Sequence, residues 1–507
     1  MAEEQQQQQH QVPKTVLFHD PKIVEINKKI RTIWALSSAG ALLGWDLEVN
    51  MPERGSVSRG IAAAELELLR QEHMKGVYPL LDEAEQGSRN LNDYEKGVLR
   101  VLRRAQKFFT RIPPSLIEED QRLAVEGTVI WREARKKSSF RQFEPLLEKI
   151  VDLKIREAEK LGYEKEPYDA LLDLFEEGVT SEDMNSIFST LIPGLKRILS
   201  RTRPEFLARS PLVETAYDRE PMAKLDEKIT EILKMPKDRF RMDVSTHPFM
   251  TSMSRDDVRI TTRYEGKDFR SSMYSVMHES GHAIYELQLQ ESMEYTPIGN
   301  PVSSGFHESQ SRFWENVIGR SRAFVSLAEP TIRENLSFVS GYDNEKLYAY
   351  FNSVRPGFIR VDADELTYNF HTALRFELER KILSGKIKAS ELPSLWNEKM
   401  EEYLGIVPRN DAEGVLQDVH WSGGMFGYFP TYSLGNILAG MIWYNIRKDV
   451  DLGEKVRAGE FSPIKEWLYE KIHRWGSTFP PKELARRSFG ESYNPERLLQ
   501  YLEEKYV

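Results

Sequence analysis

No cysteine occurs in the 507 residues. Disulfides, thiolate metal ligands and a cysteine nucleophile are thereby excluded together, and the composition fits a reducing compartment, so a cytoplasmic setting is expected. Any metal must be held by nitrogen and oxygen. Nor is there an excess of positive charge: 70 Lys and Arg stand against 79 Asp and Glu, a formal net charge of -9, which offers no electrostatic footprint for nucleic acid. No uninterrupted apolar stretch reaches the roughly 18 residues of a membrane span. The opening Met1–Val12, with its Gln run, lacks the basic start and apolar middle of a secretory signal. Neither nucleic acid nor a membrane is therefore expected as a partner. Residues 1–14 read as a disordered Gln-rich tail, which leaves 15–507 as the folded part.

What the chain does contain is helical periodicity. From Lys22 to about Leu43, the residues Ile23, Ile26, Ile30, Ile33, Leu36 and Leu43 recur at three- and four-residue intervals, as on a helix with one buried face. Similar spacing runs through Ile61–Leu81, Tyr94–Phe109, Leu116–Trp131 and Phe143–Leu161. It returns in Ser181–Leu199, Ala223–Leu233, Ser271–Leu289, Ser309–Ile318, Asn344–Asn352, Ala363–Leu383, Ala389–Leu404, Leu434–Val450 and Ile464–Trp475. One segment departs from this pattern: in Asp257–Tyr264, Val258, Ile260 and Thr262 alternate with Arg259, Thr261 and Arg263, which predicts a half-buried strand and one small sheet. No Gly-, Ser- and Pro-rich stretch after the tail is long enough for an inter-domain linker, and no fixed-period repeat appears. The fold class expected is mainly α, one large helical domain.

In Met277-His278-Glu279-Ser280-Gly281-His282 two histidines stand four apart on a segment of helical period, so their rings project from one face within reach of a single ion. Glu279, directly after the first ligand, is placed to take a proton from water at that ion. With 10 His in the chain, such a pattern is expected by chance only about 0.03 times. Gly281 costs a helix on the order of 1 kcal/mol relative to Ala, which is understandable where something approaches the backbone closely. A tetrahedral catalytic ion needs a third protein ligand. Glu308, in His307-Glu308-Ser309-Gln310 at the start of another amphipathic stretch, is the candidate on the His₂Glu precedent, with His307 as its rival. The same ligand set suits iron or manganese, but a general base inside the ligand helix serves hydrolysis, so zinc is preferred.

The motifs, in order, are His247-Pro248-Phe249, Asp257-Val258-Arg259-Ile260-Thr261, the His278–His282 helix and His307-Glu308-Ser309. Ile359-Arg360-Val361-Asp362-Ala363-Asp364 and Gly414–Trp421, with Gln417, Asp418, His420 and Trp421, complete the series. In this order they resemble the carboxypeptidase Taq (M32) family of zinc metallocarboxypeptidases. Gln310 follows Ser309 directly, one place earlier than in the family's H-E-S-x-Q form, which leaves Glu308 untouched. The resemblance implies a mostly helical, saddle-like fold with a long groove and with its small sheet near the metal. It also implies zinc as cofactor, with cobalt or manganese as substitutes, Glu308 as third ligand, removal of single residues from peptide C-termini, and a homodimer.

On this reading Glu279 moves the proton, and Tyr432 or His420 donates to the oxyanion of the tetrahedral intermediate. A free carboxylate at the peptide terminus calls for a guanidinium, and Arg360, whose motif the family associates with C-terminal recognition, is the choice, with Arg355 close by. His247 is divided between substrate contact and a packed, hydrogen-bonded core role. The Asp257–Tyr264 strand is a candidate edge for an extended peptide, which would give broad specificity; otherwise Asp257 and Arg259 make local salt bridges. Phe249 and Trp421 weigh towards core packing. Two rivals share these features: a zinc oligopeptidase or endopeptidase without a carboxylate anchor, and a catalytically silent helical binding protein that keeps zinc for structure.

Overall fold

Asp20 starts the first helix, its side chain accepting the Lys22 and Ile23 N–H groups while Pro21 fills the first turn. The resulting helix α1 (Pro21–Val49) buries Ile23, Ile26, Ile30 and Ile33, the stripe read from the sequence, and runs past Leu43 to bury Trp45 as well. Helix α2 (Ser56–Lys75) packs against it. In this computed structural model, which describes residues 17–87 and 90–507, helix follows helix in this manner almost throughout. The Gln-rich tail of residues 1–14 lies outside the described residues.

The site rests on four later elements. Helix α3 (Arg270–Leu287) carries the paired histidines. Helix α4 (Ser304–Arg312) follows and runs directly into a π-helical turn, Phe313–Gly319. Helix α5 (Tyr368–Leu383) and helix α6 (Phe429–Ile446) close the arrangement from the C-terminal half. Helix α6 buries residues on all sides, from Phe429 through Leu434, Ile437, Leu438 and Ile442, and is a core helix rather than an amphipathic one. Helix α4 packs on both α3 and α6.

The small sheet has three strands, β1 (Phe240–Val244), β2 (Met250–Ser254) and β3 (Asp257–Thr262), in the order β1-β3-β2. Strand β3 runs parallel to β1, with Phe240 opposite Val258, and antiparallel to β2, with Met250 opposite Ile260. Its Val258 and Ile260 are fully buried, and Thr262 Oγ1 lies 3.2 Å from Ser272 Oγ at the start of α3, so the sheet is seated on the histidine helix. Because β3 is hydrogen-bonded on both sides, it has no free edge to give a peptide. That expectation is corrected: the outer edges belong to β1 and β2. Arg259 forks onto Asp257 through Nε and Nη2, both at 2.8 Å, which is the local salt bridge. Its guanidinium also covers the Trp45 ring at 4.3 Å, joining α1 to the sheet.

Other differences from the sequence reading have local causes. The Ile61–Leu81 stretch breaks at Gly76 into α2 and a second helix, Tyr78–Gly87. The stretch expected to be helical from Ala363 begins only at Tyr368, because the Asp364 carboxylate accepts the Leu366 and Thr367 N–H groups and the Arg355 N–H, holding a turn in place of a helix. Helices at Arg322–Asn335, Pro481–Phe489 and Pro495–Tyr506 were not expected. One large apolar cluster runs from Ile112 to Tyr506, and a smaller one joins Leu17–Leu102 to Met293 and Ile298. Among the described residues no helix is long and apolar enough to cross a membrane.

Candidate metal centre

Helical spacing puts His278 and His282 on one face of α3, their ring centroids 5.0 Å apart. Helix α4 brings Glu308 to meet them. Its Oε2 lies 3.6 Å from His278 Nε2 and 3.5 Å from His282 Nε2. Donors bonded at about 2.0–2.1 Å to one tetrahedral ion stand roughly 3.4 Å apart, so these three atoms fit a divalent cation with two nitrogens and one oxygen. All three donors lie within 4.8 Å of one another, and among the described residues no other group of three His, Asp or Glu converges in this way. Of the two rival third ligands, Glu308 therefore joins the set. His307 instead stacks on the His282 ring at 4.2 Å, with its Nε2 3.4 Å from Glu286 Oε1.

Two glycines make this approach possible. A β-carbon on Gly281 would stand 2.6 Å from the Gln310 carbonyl oxygen, and one on Gly435 of α6 would stand 2.6 Å from Glu308 Cγ. Helix α4 is thus wedged between the two neighbours at the level of its carboxylate. Its start is fixed by a buried acid, Glu176, which accepts the Gly305 N–H at 2.9 Å and the Ser303 hydroxyl at 2.8 Å, while Ser303 Oγ caps Phe306 N–H. Burial pushes the Glu176 carboxyl up to about 7, against the pull of its donors Tyr493, Gly305 and Ser303.

A second layer orients two of the three donors, His278 and Glu308. His278 Nδ1 lies 2.9 Å from Glu315 Oε2, which fixes the tautomer that leaves Nε2 free for an ion. Glu315 is held in turn by Arg312 at 3.4 Å and Arg320 at 3.1 Å, and Arg312 Nε donates to Glu308 Oε1 at 2.7 Å. Burial alone would raise Glu308, but Arg312, His278 and Ser311 outweigh it and hold the carboxyl below its usual range. Sequence reasoning missed Arg312 and Glu315. Their signal was present: four and seven residues after Glu308, they fall on the same helical face. Glu279 is buried, and burial pushes its carboxyl up to about 7, the range suited to a group that takes and returns a proton near neutral pH.

Beside the three donors opens a cleft of about 480 Å³, lined by His282, Glu286, Ser303, His307, Glu308 and Tyr432 among others. Tyr428, not anticipated from the sequence, also faces it. Tyr432 Oη lies 3.2 Å from His420 Nε2, so these two expected site residues meet. Burial pushes the His420 imidazole down to about 4, with Asp418 opposing, so the ring is neutral at pH 7. Arg360 stands behind Tyr432, its guanidinium 4.8 Å from that ring. It is buried, donating to Asp418 Oδ1 through Nε at 3.1 Å and Nη2 at 2.8 Å, and to Tyr368 Oη through Nη1 at 2.7 Å. Each terminal nitrogen keeps one N–H outside these bonds. Asp418 also accepts from Arg375 at 2.6 Å.

His247 is not brought to the cleft. It is exposed between β1 and β2, where its carbonyl accepts Ser245 Oγ at 2.6 Å, so the packed core role is overturned. Phe249 is half-buried beside it, and its N–H donates to Thr261 Oγ1 at 3.0 Å. Trp421 is buried, stacked on Phe426 and bonded to Glu379 Oε1 at 2.8 Å, as core packing requires.

The chain matches the model of the carboxypeptidase Taq (M32) metallopeptidases over residues 25–506. It is 49% identical over 496 residues to thermostable carboxypeptidase 1 of Pyrococcus furiosus, covering 97% of this chain and 99% of that one. Carboxypeptidase 1 of Bacillus subtilis is 36% identical over 492 residues, with 94% and 96% covered. A solved structure of the Pyrococcus furiosus carboxypeptidase superposes with a TM-score of 0.95, covering 97% of this chain and 100% of that one at 49% identity. The M32 carboxypeptidase of Deinococcus radiodurans does so with a TM-score of 0.92 at 32% identity, covering 96% and 99%. With family match, sequence identity and fold agreeing over nearly the whole length, the chain belongs to the carboxypeptidase Taq (M32) family and is a metallocarboxypeptidase.

Proposed function

We propose that the metal is zinc, held by His278, His282 and Glu308, and that Glu279 is the general base for hydrolysis of the C-terminal peptide bond. The convergence of two imidazole nitrogens and one carboxylate oxygen beside a buried acid carries this reading. When bound, such an ion supplies a Lewis acid for the scissile carbonyl and lowers the pKa of a coordinated water to about 7. Glu279 takes the proton of the attacking water as its oxygen bonds to the carbonyl carbon. The same carboxyl then gives that proton to the amine nitrogen as the C–N bond breaks, so the released amino acid leaves neutral at nitrogen.

The terminal carboxylate is assigned to Arg360, whose guanidinium lies 4.8 Å from the ring of the cleft residue Tyr432 and keeps two N–H groups not used by Asp418 and Tyr368. Tyr432 or His420 serves the oxyanion. Recognition of the free terminus and main chain, more than of side chains, accounts for broad specificity. His247, exposed and away from the cleft, has no part in this proposal. The homodimer and the cytoplasmic setting belong to the same proposal. Leu42, Leu47, Val57, Ile61, Leu68 and Leu69, left exposed on α1 and α2, support a second copy as partner.

The test is mass spectrometry of a long unblocked peptide and of its C-terminal amide after incubation with zinc-loaded protein and with a chelated control. The free peptide is expected to shorten residue by residue from its C-terminus, the amide and the chelated sample to stay intact. Equal cleavage of peptide and amide would reject the carboxylate anchor.

A further inference from the structure

The π-helical turn Phe313–Gly319 stands between the third metal ligand and the rest of the fold. Helical pitch is broken there, and the backbone N–H groups of Arg320 and Ser321, four and five residues after Asn316, both turn to the Ile318 carbonyl. The Asn316 carbonyl is taken up from elsewhere. Tyr501 Oη donates to it at 3.1 Å and Lys505 Nζ at 3.3 Å, both from helix α7 (Pro495–Tyr506) at the end of the chain. On the other side, Tyr274 Oη, one helical turn before His278 on α3, donates to the Gly319 carbonyl at 3.0 Å.

The Lys505 side chain is buried, and so is the side chain of its partner Glu365, whose Oε2 accepts Lys505 Nζ at 2.7 Å and Tyr506 Oη at 2.9 Å. Lys505 Nζ also reaches Tyr501 Oη at 3.0 Å. A buried ion pair adds little to stability over well-packed apolar residues, because desolvation of both charges offsets their attraction. Its value is in placing a donor. Here the ammonium and the phenol are placed on one carbonyl, and that carbonyl is one residue from Glu315, which fixes His278 at 2.9 Å.

We propose that Tyr501 and Lys505 are positioning residues of the metal centre: by clamping the Asn316 carbonyl they hold the π turn at the pitch that aims Glu315 at His278 Nδ1. The clamp rests on the reading that His278, His282 and Glu308 hold the metal. It joins the last helix of the chain to the first metal ligand through four groups, the Tyr501 hydroxyl, the Asn316 carbonyl, the Glu315 carboxylate and the His278 ring.

Zinc affinity of the full-length apo protein, measured by competition with a chromogenic chelator, tests it. Tyr501→Phe removes the hydroxyl alone. A Lys505→Met, Glu365→Gln pair removes the ammonium without leaving a buried charge orphaned. Loss of an outer-shell partner of a ligating histidine weakens metal binding roughly 10-fold to 100-fold, and these variants, one step further out, are expected at about tenfold. Their kcat should fall with KM unchanged. Zinc affinity equal to wild type in both variants overturns the clamp, even if the apo protein melts earlier, since that is the result of a purely structural role. His278→Ala separates the two readings: it must lose zinc, and if it binds as tightly as wild type, the metal-site assignment fails and takes the clamp with it.

Discussion

Gly281 of α3 and Gln310 of α4 approach so closely that a β-carbon on the glycine would stand 2.6 Å from the Gln310 carbonyl oxygen. The nearest obstacles are backbone atoms of Gln310 and Ser311, not the tip of a flexible side chain, so relief requires α3 and α4 to move apart. In an unconstrained helix Gly→Ala stabilises by about 1 kcal/mol. Here overpacking costs about 1–3 kcal/mol in the opposite sense. Gly281→Ala is therefore expected to lower the melting temperature and, because the displaced helix carries Glu308, to weaken zinc binding more than melting alone accounts for. Calorimetry and metal competition on the same preparation check both. An alanine variant that is as stable and binds zinc as tightly as wild type would show that the contact is not what the glycine serves.

The sequence made that contact half-legible. A glycine inside a helical pattern signals close approach, but what approaches is set by tertiary packing. The pairing of the histidines was readable because helix geometry converts a four-residue spacing into a shared face, whereas the count of ligands asked only for a third donor, and Glu308 was preferred to His307 on the His₂Glu precedent. The π turn was not readable: Ser309–Ile318 has ordinary helical spacing, and the donors that meet the carbonyls of the turn, Tyr274, Tyr501 and Lys505, lie far away in the chain. Strands β1 and β2 escaped notice because each has five residues, with Arg241 and Asp243 in one and mostly small polar residues in the other. The missing partners left β3 looking like an edge when it is the middle strand. Helix Arg322–Asn335, with Pro330 inside it, broke the periodicity that marked its neighbours.

Glu279→Gln keeps the shape of the side chain and removes its ability to carry a proton. Gln is neutral, so the variant carries none of the penalty on a buried charge that pushes the Glu279 carboxyl up to about 7. Zinc content by metal analysis is expected to stay at one ion per chain, while kcat falls roughly 10²-fold to 10⁴-fold, the usual contribution of a general base. Retained turnover with zinc bound would remove Glu279 from the proton path.

The Glu176 carboxyl links pH to stability at the start of α4. Its value in the folded state is about 7, raised by burial, whereas an unfolded chain gives about 4.5. Between these values the folded state binds the extra proton, so stability falls as pH rises through that window and is level above it. The difference corresponds to on the order of 3 kcal/mol. Glu176→Gln cannot titrate. Melting temperatures of wild type and variant, measured between about pH 4.5 and about pH 8, should show wild type losing ground to the variant as pH rises. A constant gap across that range would mean that the carboxyl is ionised throughout.

Arg360 gives the sharpest separation of a substrate role from a structural one. Its partner Asp418 keeps a second guanidinium, Arg375, at 2.6 Å, so Arg360→Met leaves that carboxylate paired. The variant loses the bonds to Asp418 and Tyr368 and, with them, the pair of N–H groups those partners leave unused. A charge-assisted hydrogen bond to a carboxylate contributes about 1.5–3 kcal/mol. On that scale kcat/KM for a free peptide should drop roughly 10-fold to 100-fold, while any slow cleavage of the C-terminal amide is unaffected, so that the preference for acid over amide collapses. Arg360→Lys, which restores the charge but not the fork, should recover only part of it. If the preference survives intact in Arg360→Met, the guanidinium is a strut for Asp418 and Tyr368, and the terminal carboxylate is read by another group.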